Sequence, residues 1–204
     1  MSLIAGVIAL GVCVSACGGE SPSVSPSPTP TVAASTTRGA ADRTYKFDVF
    51  DLCTRTDVQS VADLGLKVRS TDRTPPVAMT GEACLFEFNT PSGSPASLRV
   101  EAVTAADVDE AQRVYRTQSG GRMKPEGSIS GIGEQAEAFA LETEPQQAFK
   151  YSEYRVHARD GNLVIEVWLA IGGKAFTPKE TLATKTTAIT QRAFAMVTEA
   201  WKTR

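Results

Sequence analysis

Few side chains in this sequence could do chemistry. His157 is the only histidine of the 204 residues, and its neighbours Arg155, Arg159 and Asp160 include no nucleophile. A Ser-His-Asp triad would need this imidazole as its base and a serine such as Ser152 or Ser130 brought to it by folding. A glycosidase needs only two carboxyl groups about 5 to 10 Å apart, a separation that sequence spacing does not encode. Glu134, Glu137, Glu142 and Glu144 read instead as the solvated face of a strand and its loop, and no acid stands out as buried. The expectation is a protein without a catalytic residue set.

Two glycine motifs point the same way. Gly131-Ile132-Gly133-Glu134-Gln135-Ala136 fits the spacing of a dinucleotide fingerprint, which requires a buried strand before it and a helix after it. Here Pro125-Glu126-Gly127-Ser128 precedes it and an alternating Glu137 to Glu142 segment follows, so a glycine turn into a strand is expected. Gly172-Gly173-Lys174 lacks the upstream glycine and the following hydroxyl of a phosphate loop, and reads as a turn. No cofactor is expected. Trp168 and His157 fall on the outer face of a predicted hairpin, where both are candidate ligand contacts. Trp168 would either pack beneath a helix or form an aromatic wall for a glycan or acyl chain, and His157 reads as a solvated strand residue.

The elements that must position these residues follow from periodicity. The domain opens near Tyr45, and Phe47, Val49 and Phe50 enter the core first. Thr56-Asp57-Val58-Gln59 has the form of a capping box and predicts a short helix to Leu64, stopped by Gly65. Cys84 to Phe88 and Leu98 to Val103 alternate as strands around a Pro/Ser/Gly turn and predict a hairpin. Thr104-Ala105-Ala106-Asp107 opens a helix with Val108, Ala111 and Tyr115 on one stripe, ended by Gly120-Gly121.

The clearest pairing surrounds Asp160-Gly161, read as a type I′ turn. It sets Ala158, Val156 and Tyr154 against Leu163, Ile165 and Val167 on the inner face. On the outer face it sets His157 against Val164, Arg155 against Glu166 and Glu153 against Trp168. Thr177 as N-cap, Pro178 and Glu180 then start a helix running to about Lys202. Its apolar residues Leu182, Ile189, Ala193, Met196 and Ala200 form one stripe, with Phe194, Val197 and Trp201 beside it. The order helix, hairpin, helix, strands, helix gives an α+β fold: an antiparallel sheet with helices packed on it.

Before that domain lies a different kind of chain. The uncharged apolar run Leu3 to Ala16 is shorter than the roughly 20 residues a spanning helix needs, and fits the apolar core of a cleaved export signal. It ends in Val14-Ser15-Ala16-Cys17, which resembles the lipobox of bacterial lipoproteins, where cleavage precedes a cysteine that carries acyl chains such as palmitate. The segment that follows is rich in Ser, Pro and Thr and reads as an extended tether. The expected organisation is therefore a signal peptide over 1–16, lipidated Cys17 and tether over 17–44, and one globular domain over 45–204.

With 21 Lys+Arg against 23 Asp+Glu, the chain lacks the basic excess that nucleic acid demands. Cys13 leaves with the signal and Cys17 is the anchor, so Cys53 and Cys84 remain as a disulfide pair or as two buried thiols. A lone histidine then leaves too few His and Cys for zinc, which takes three or four ligands.

The lipobox, the tether, Phe50-Asp51-Leu52-Cys53, Cys84-Leu85-Phe86, Gly131-Ile132-Gly133-Glu134-Gln135-Ala136 and the final strand pair together resemble the actinobacterial lipoproteins grouped as domain of unknown function 3558. The resemblance implies a cell-envelope location, a Cys53 to Cys84 disulfide and no established activity. The element order also resembles the Mog1/PsbP-like α/β/α sandwich. These readings converge on a lipid-anchored domain on the extracytoplasmic face of the cell membrane that binds an envelope protein or glycan. A carrier of a lipid or other apolar ligand is the alternative, and a cell-wall hydrolase a further one.

Overall fold

The two alternating runs around Asp160-Gly161 do pair, and they become the middle of the sheet. The computed structural model describes residues 43–203 apart from 78, 119, 147 and 148; the expected signal peptide, Cys17 and the tether to residue 42 lie outside them. The strands are β1 (Lys67–Thr74), β2 (Thr80–Asn89), β3 (Pro95–Thr104), β4 (Lys124–Ser128), β5 (Gln135–Gln146), β6 (Phe149–Asp160) and β7 (Leu163–Gly173). The helices are α1 (Leu52–Arg55), α2 (Val108–Thr117) and α3 (Lys179–Trp201), with a 3-10 helix at Val58–Leu64. All strand pairs are antiparallel, in the order β1-β2-β3-β7-β6-β5-β4. Two meanders thus meet at the β3/β7 seam, and α2 carries the chain from the middle of the sheet to its far edge. The fold is α+β, as the element order implies.

One sheet face carries the core. Phe86, Phe88, Leu98, Val100, Val156, Ile165, Val167 and Leu169 are buried there under Leu182, Ile189, Ala193, Val197 and Trp201 of α3. The buried stripe of α3 includes Thr186 and Thr190 between its aliphatics, while Met196 and Ala200 fall on its shoulder. The cap differs from the reading: Pro178 holds the N-cap position and the Thr177 amide donates to Ser152 Oγ at 3.0 Å.

The central hairpin is shifted by two residues from its expected register. Asp160 faces Leu163, Ala158 faces Ile165, His157 faces Glu166 and Arg155 faces Trp168. The loop is Gly161-Asn162, with φ +53 at Gly161 in the first central position, where a type II′ turn demands glycine. A shift of two preserves which side chains share a face, so the inner and outer sets survive. The reason is tertiary: Asn162 Oδ1 accepts from the Tyr45 amide at 2.7 Å, and its Nδ2 donates to Tyr45 O and Ala105 O at 3.0 and 2.9 Å. Asp160 accepts from Arg43 Nη1 at 3.1 Å and from the Tyr45 hydroxyl. Asp160 is fully buried, against the expectation that no acid would be.

Other departures have equally local causes. Strands β1 and β4 carry no apolar alternation and were not expected. They are the sheet edges, where charges in β1 and Pro125 with a bulge in β4 discourage further pairing. Val49 points to solvent instead of the core, while Tyr45 and Phe50 are buried and Phe47 packs edge-on against Trp201. Asp57, not Thr56, caps the 3-10 helix, because the Thr56 hydroxyl donates to Leu52 O at 2.8 Å. Gly65 ends that helix at φ +69 as expected.

Cys53 and Cys84 are joined in a disulfide, their Cα atoms 5.2 Å apart. Glu82 prepares the junction. Its carboxylate accepts from the amides of Phe50 and Leu52, both at 2.7 Å, and so seats α1 on β2.

Two measurements test this frame. Reducing the Cys53–Cys84 bridge should lower unfolding stability by about 3 to 4 kcal/mol on the chain-entropy model, read from denaturant midpoints with and without reductant. Asp160→Ala should cost about 2 to 3 kcal/mol, because it strips a charged acceptor from a buried phenol. An unchanged midpoint would show that the knot at the turn does not hold the register.

Candidate functional site

The sheet face opposite α3 is divided in two. Its turn end is covered by α2, whose Ala111 packs on Val103, Ala105 and Val164 in a small second cluster. Asp107 caps α2 by accepting from the Glu110 amide at 2.7 Å, which fixes where this cover begins. Tyr115 ends the covered zone by stacking on His157, ring centroids 4.6 Å apart.

Beyond Tyr115 the strands carry charge in two adjacent rows. Register aligns Arg99, Trp168, Arg155 and Phe139 across β3, β7, β6 and β5, and beside them Glu101, Glu166, His157 and Glu137. Arg99 donates to Glu101 and, at 2.8 Å, to Thr74 Oγ1. Arg155 Nη1 lies 3.4 Å from Glu166 Oε2, and its guanidinium sits 5.3 Å from the centre of the Phe139 ring. Trp168 Nε1 donates to Glu153 Oε2 at 3.0 Å. Burial pushes the Glu166 carboxyl above the usual range; Arg155 opposes that shift, Glu101 adds to it and Arg99 counters it.

A cleft of about 250 Å³ opens over these rows, floored by Trp168, Arg99, Arg155 and Glu166, with Leu141, Glu153 and Met123 around it and the exposed Arg122 beside it. Trp168 therefore lines open space and is not packed beneath α2. A second cleft, of about 480 Å³, lies where β4 and β5 meet the start of α3, and Lys179 pairs there with Glu126 at 2.7 Å.

His157 is not the solvated residue its place in the sequence suggests. It is 1% exposed, neither ring nitrogen has a hydrogen-bond partner, and burial together with the nearby Arg155 cation lowers its pKa to about 3. Strand alternation puts Ser152 on the α3 side of β6 and His157 on the α2 side, so these two cannot join in a triad. The glycine motif is a turn: Gly131 and Gly133 have φ of +81 and +59, Ile132 is buried, and β5 follows. Glu134 of that turn pairs with Arg159 at 2.5 Å. No group of three or more His, Cys, Asp or Glu suited to a metal occurs among the described residues.

The charged rows are the feature sequence reasoning only half saw. It opposed Arg155 to Glu166 directly, whereas they meet on the diagonal. It missed Arg99 and Glu101, whose signal is a pair of opposite charges two apart inside an otherwise apolar strand.

Fold and site define a class: a disulfide-bridged α+β domain with a charged, tryptophan-floored cleft on an otherwise structural sheet. Neither the known protein-family models nor the curated proteins contain a match to this chain. Among solved structures it is similar to the extracellular domain of PknH from Mycobacterium tuberculosis, with a TM-score of 0.38 and 9% identity over 70% of this chain and 91% of that one.

The buried imidazole generates a pH dependence. With its folded pKa near 3 and an unfolded value near 6.5, the unfolded chain binds the extra proton between those values. Stability from this group is complete above about pH 6.5 and falls by up to about 1.4 kcal/mol per unit as pH drops toward 3. His157→Gln should flatten that acid limb in denaturant titrations at stepped pH. An equally steep limb in the variant would assign it to other groups.

Proposed function

We propose that this chain is a lipoprotein anchored through acylated Cys17 on the extracytoplasmic face of a cell membrane, presenting a non-enzymatic binding domain on a Ser/Pro tether. The observation that carries the reading is the Cys53–Cys84 bridge in a domain that follows an export-type segment ending in a lipobox-like motif. Disulfides persist where the compartment oxidises. Membership of the lipoprotein group that the sequence resembles belongs to the same proposal. No helix among the described residues is long and apolar enough to cross a membrane. On this reading the acyl chains hold the domain at the membrane. Two or three acyl chains suffice for that, since each buried CH2 contributes about 0.8 kcal/mol.

Binding is favoured over hydrolysis because the single histidine is sealed under Tyr115 with a pKa too low for a base. It is favoured over an apolar carrier because the space between sheet and α3 is filled by Leu182, Ile189, Ala193 and Val197. The cleft on the other face is walled by charge.

Cells grown with labelled palmitate should yield the protein marked and membrane-bound, and digestible by protease added to intact spheroplasts. Cys17→Ala should abolish both the label and the membrane association. An unlabelled, soluble wild-type protein would remove the anchor and with it this assignment.

A further inference from the structure

Arg155 is in an unusual state for a central strand residue. Its Nε and Nη2 are buried and have no hydrogen-bond partner, while Nη1 keeps only the 3.4 Å contact to Glu166. Nε and Nη2 form the side-on edge of a guanidinium, the fork that fits both oxygens of a planar carboxylate. Leaving a charged fork without an acceptor is costly, and groups of this kind in a finished fold call for an explanation. Glu166, the nearest acid, cannot supply it, since its carboxylate meets the other nitrogen.

The surroundings narrow what the acceptor is. Arg155 forms part of the cleft floor beside Trp168, with Arg99 on the far side of the indole and Arg122 nearby. Three arginines line a space of about 250 Å³ with Glu153 and Glu166, and since Arg99 is paired with Glu101, Arg155 and Arg122 are left to face the two carboxylates. A planar monocarboxylate fits the fork with a single charge, whereas a phosphate dianion would press a second charge against two carboxylates. The indole, with Leu141 and Met123, offers an apolar surface on which a ring can lie.

We propose that the cleft over Trp168 is a binding site for a small ring-bearing monocarboxylate, such as a sugar acid, whose carboxylate docks on the Nε/Nη2 edge of Arg155 while its ring lies on the indole. The edge is shielded from bulk water in the free protein. Presenting it requires a turn of the guanidinium about its own side-chain torsions, restrained by the 3.4 Å contact to Glu166 and by the Phe139 ring beside it. Arg99 is already held by Glu101 and Thr74 and sets the field of the site.

This deepens the binding-domain reading without depending on the anchor, so its failure and the failure of the palmitate experiment are separate results. The chain has two tryptophans, and Trp201 is buried with its Nε1 bonded to Asp48 O at 2.7 Å. The indole signals of the ¹⁵N-labelled full chain therefore give one reporter in the site and one control for the fold. Glucuronate and benzoate are titrated, with glucose and inorganic phosphate as controls. The Trp168 signal should shift saturably with at least one carboxylate, with a dissociation constant of about 1 mM or tighter. Neither control should match it, and the Trp201 signal should stay in place.

Arg155→Lys keeps the charge but loses the fork, and should weaken binding at least about tenfold with the Trp201 signal unmoved. No saturable shift with either acid, equal binding of phosphate, or a lysine variant that binds like wild type would each overturn the proposal. Should Arg155→Lys disturb Trp201, Trp168→Phe read by calorimetry takes its place: weakened binding supports the site and unchanged binding refutes it.

Discussion

The turn at Gly161-Asn162 is gripped from several directions, and the whole sheet takes its register from that grip. Asn162 reads the backbone of Tyr45 and of Ala105 at once. Asp160 takes the Tyr45 hydroxyl and Arg43, and Arg159 donates to Gly161 O at 2.9 Å while pairing with Glu134. The Tyr45 phenol, buried and bonded to a carboxylate, is pushed well above the usual tyrosine range. Three segments remote in sequence thus fix one two-residue loop. Because β6 and β7 are central, every partner strand inherits their register, and a slip of one residue would turn the core outward.

That constraint explains why the second sheet face can carry charge. Mostly apolar on the α3 side, the central strands are committed to one orientation, and side chains of odd number on β6 must emerge on the other side. Near the turn α2 covers them with Ala111 and Tyr115. Further along no helix among the described residues covers them, and Arg99, Glu101, Arg155 and Glu166 occupy the position a second hydrophobic layer would fill. Half-buried charges are tolerable only when paired, and the rows are paired across and along strands. Arg155 is the member whose pairing stays incomplete.

Periodicity made the inner half of this molecule legible. The α3 stripe, the β2–β3 and β6–β7 hairpins and the α2 face follow from apolar spacing alone, because burial on one side leaves a period that chance does not imitate. Edge strands leave no such period: β1 buries almost nothing and β4 contains a proline, so neither could be read. The hairpin register was lost for another reason. Asp-Gly is a strong local turn signal, yet the contacts that settle the loop come from residues 43, 45 and 105, which local chemistry cannot see. His157 was misplaced by the same blindness, since only α2 crossing the sheet buries it. The site lay between these cases. Trp168 was on the correct face, and the arginines around it become a cluster only when β3 is laid beside β7.

The position of the cleft within the domain also has a physical logic. Residues 43 to 45, where the proposed tether enters, are tied to the β6–β7 turn, whereas Arg155, Trp168 and Arg99 lie about six residues further along the strands. At about 3.3 Å per residue this sets the cleft roughly 20 Å from the point of attachment. The rigid network thus holds one end of the central strands, and the open cleft lies over their middle. The turn end cannot yield without losing register, while the mid-strand face, relieved of that duty, retains the unpaired donors of Arg155.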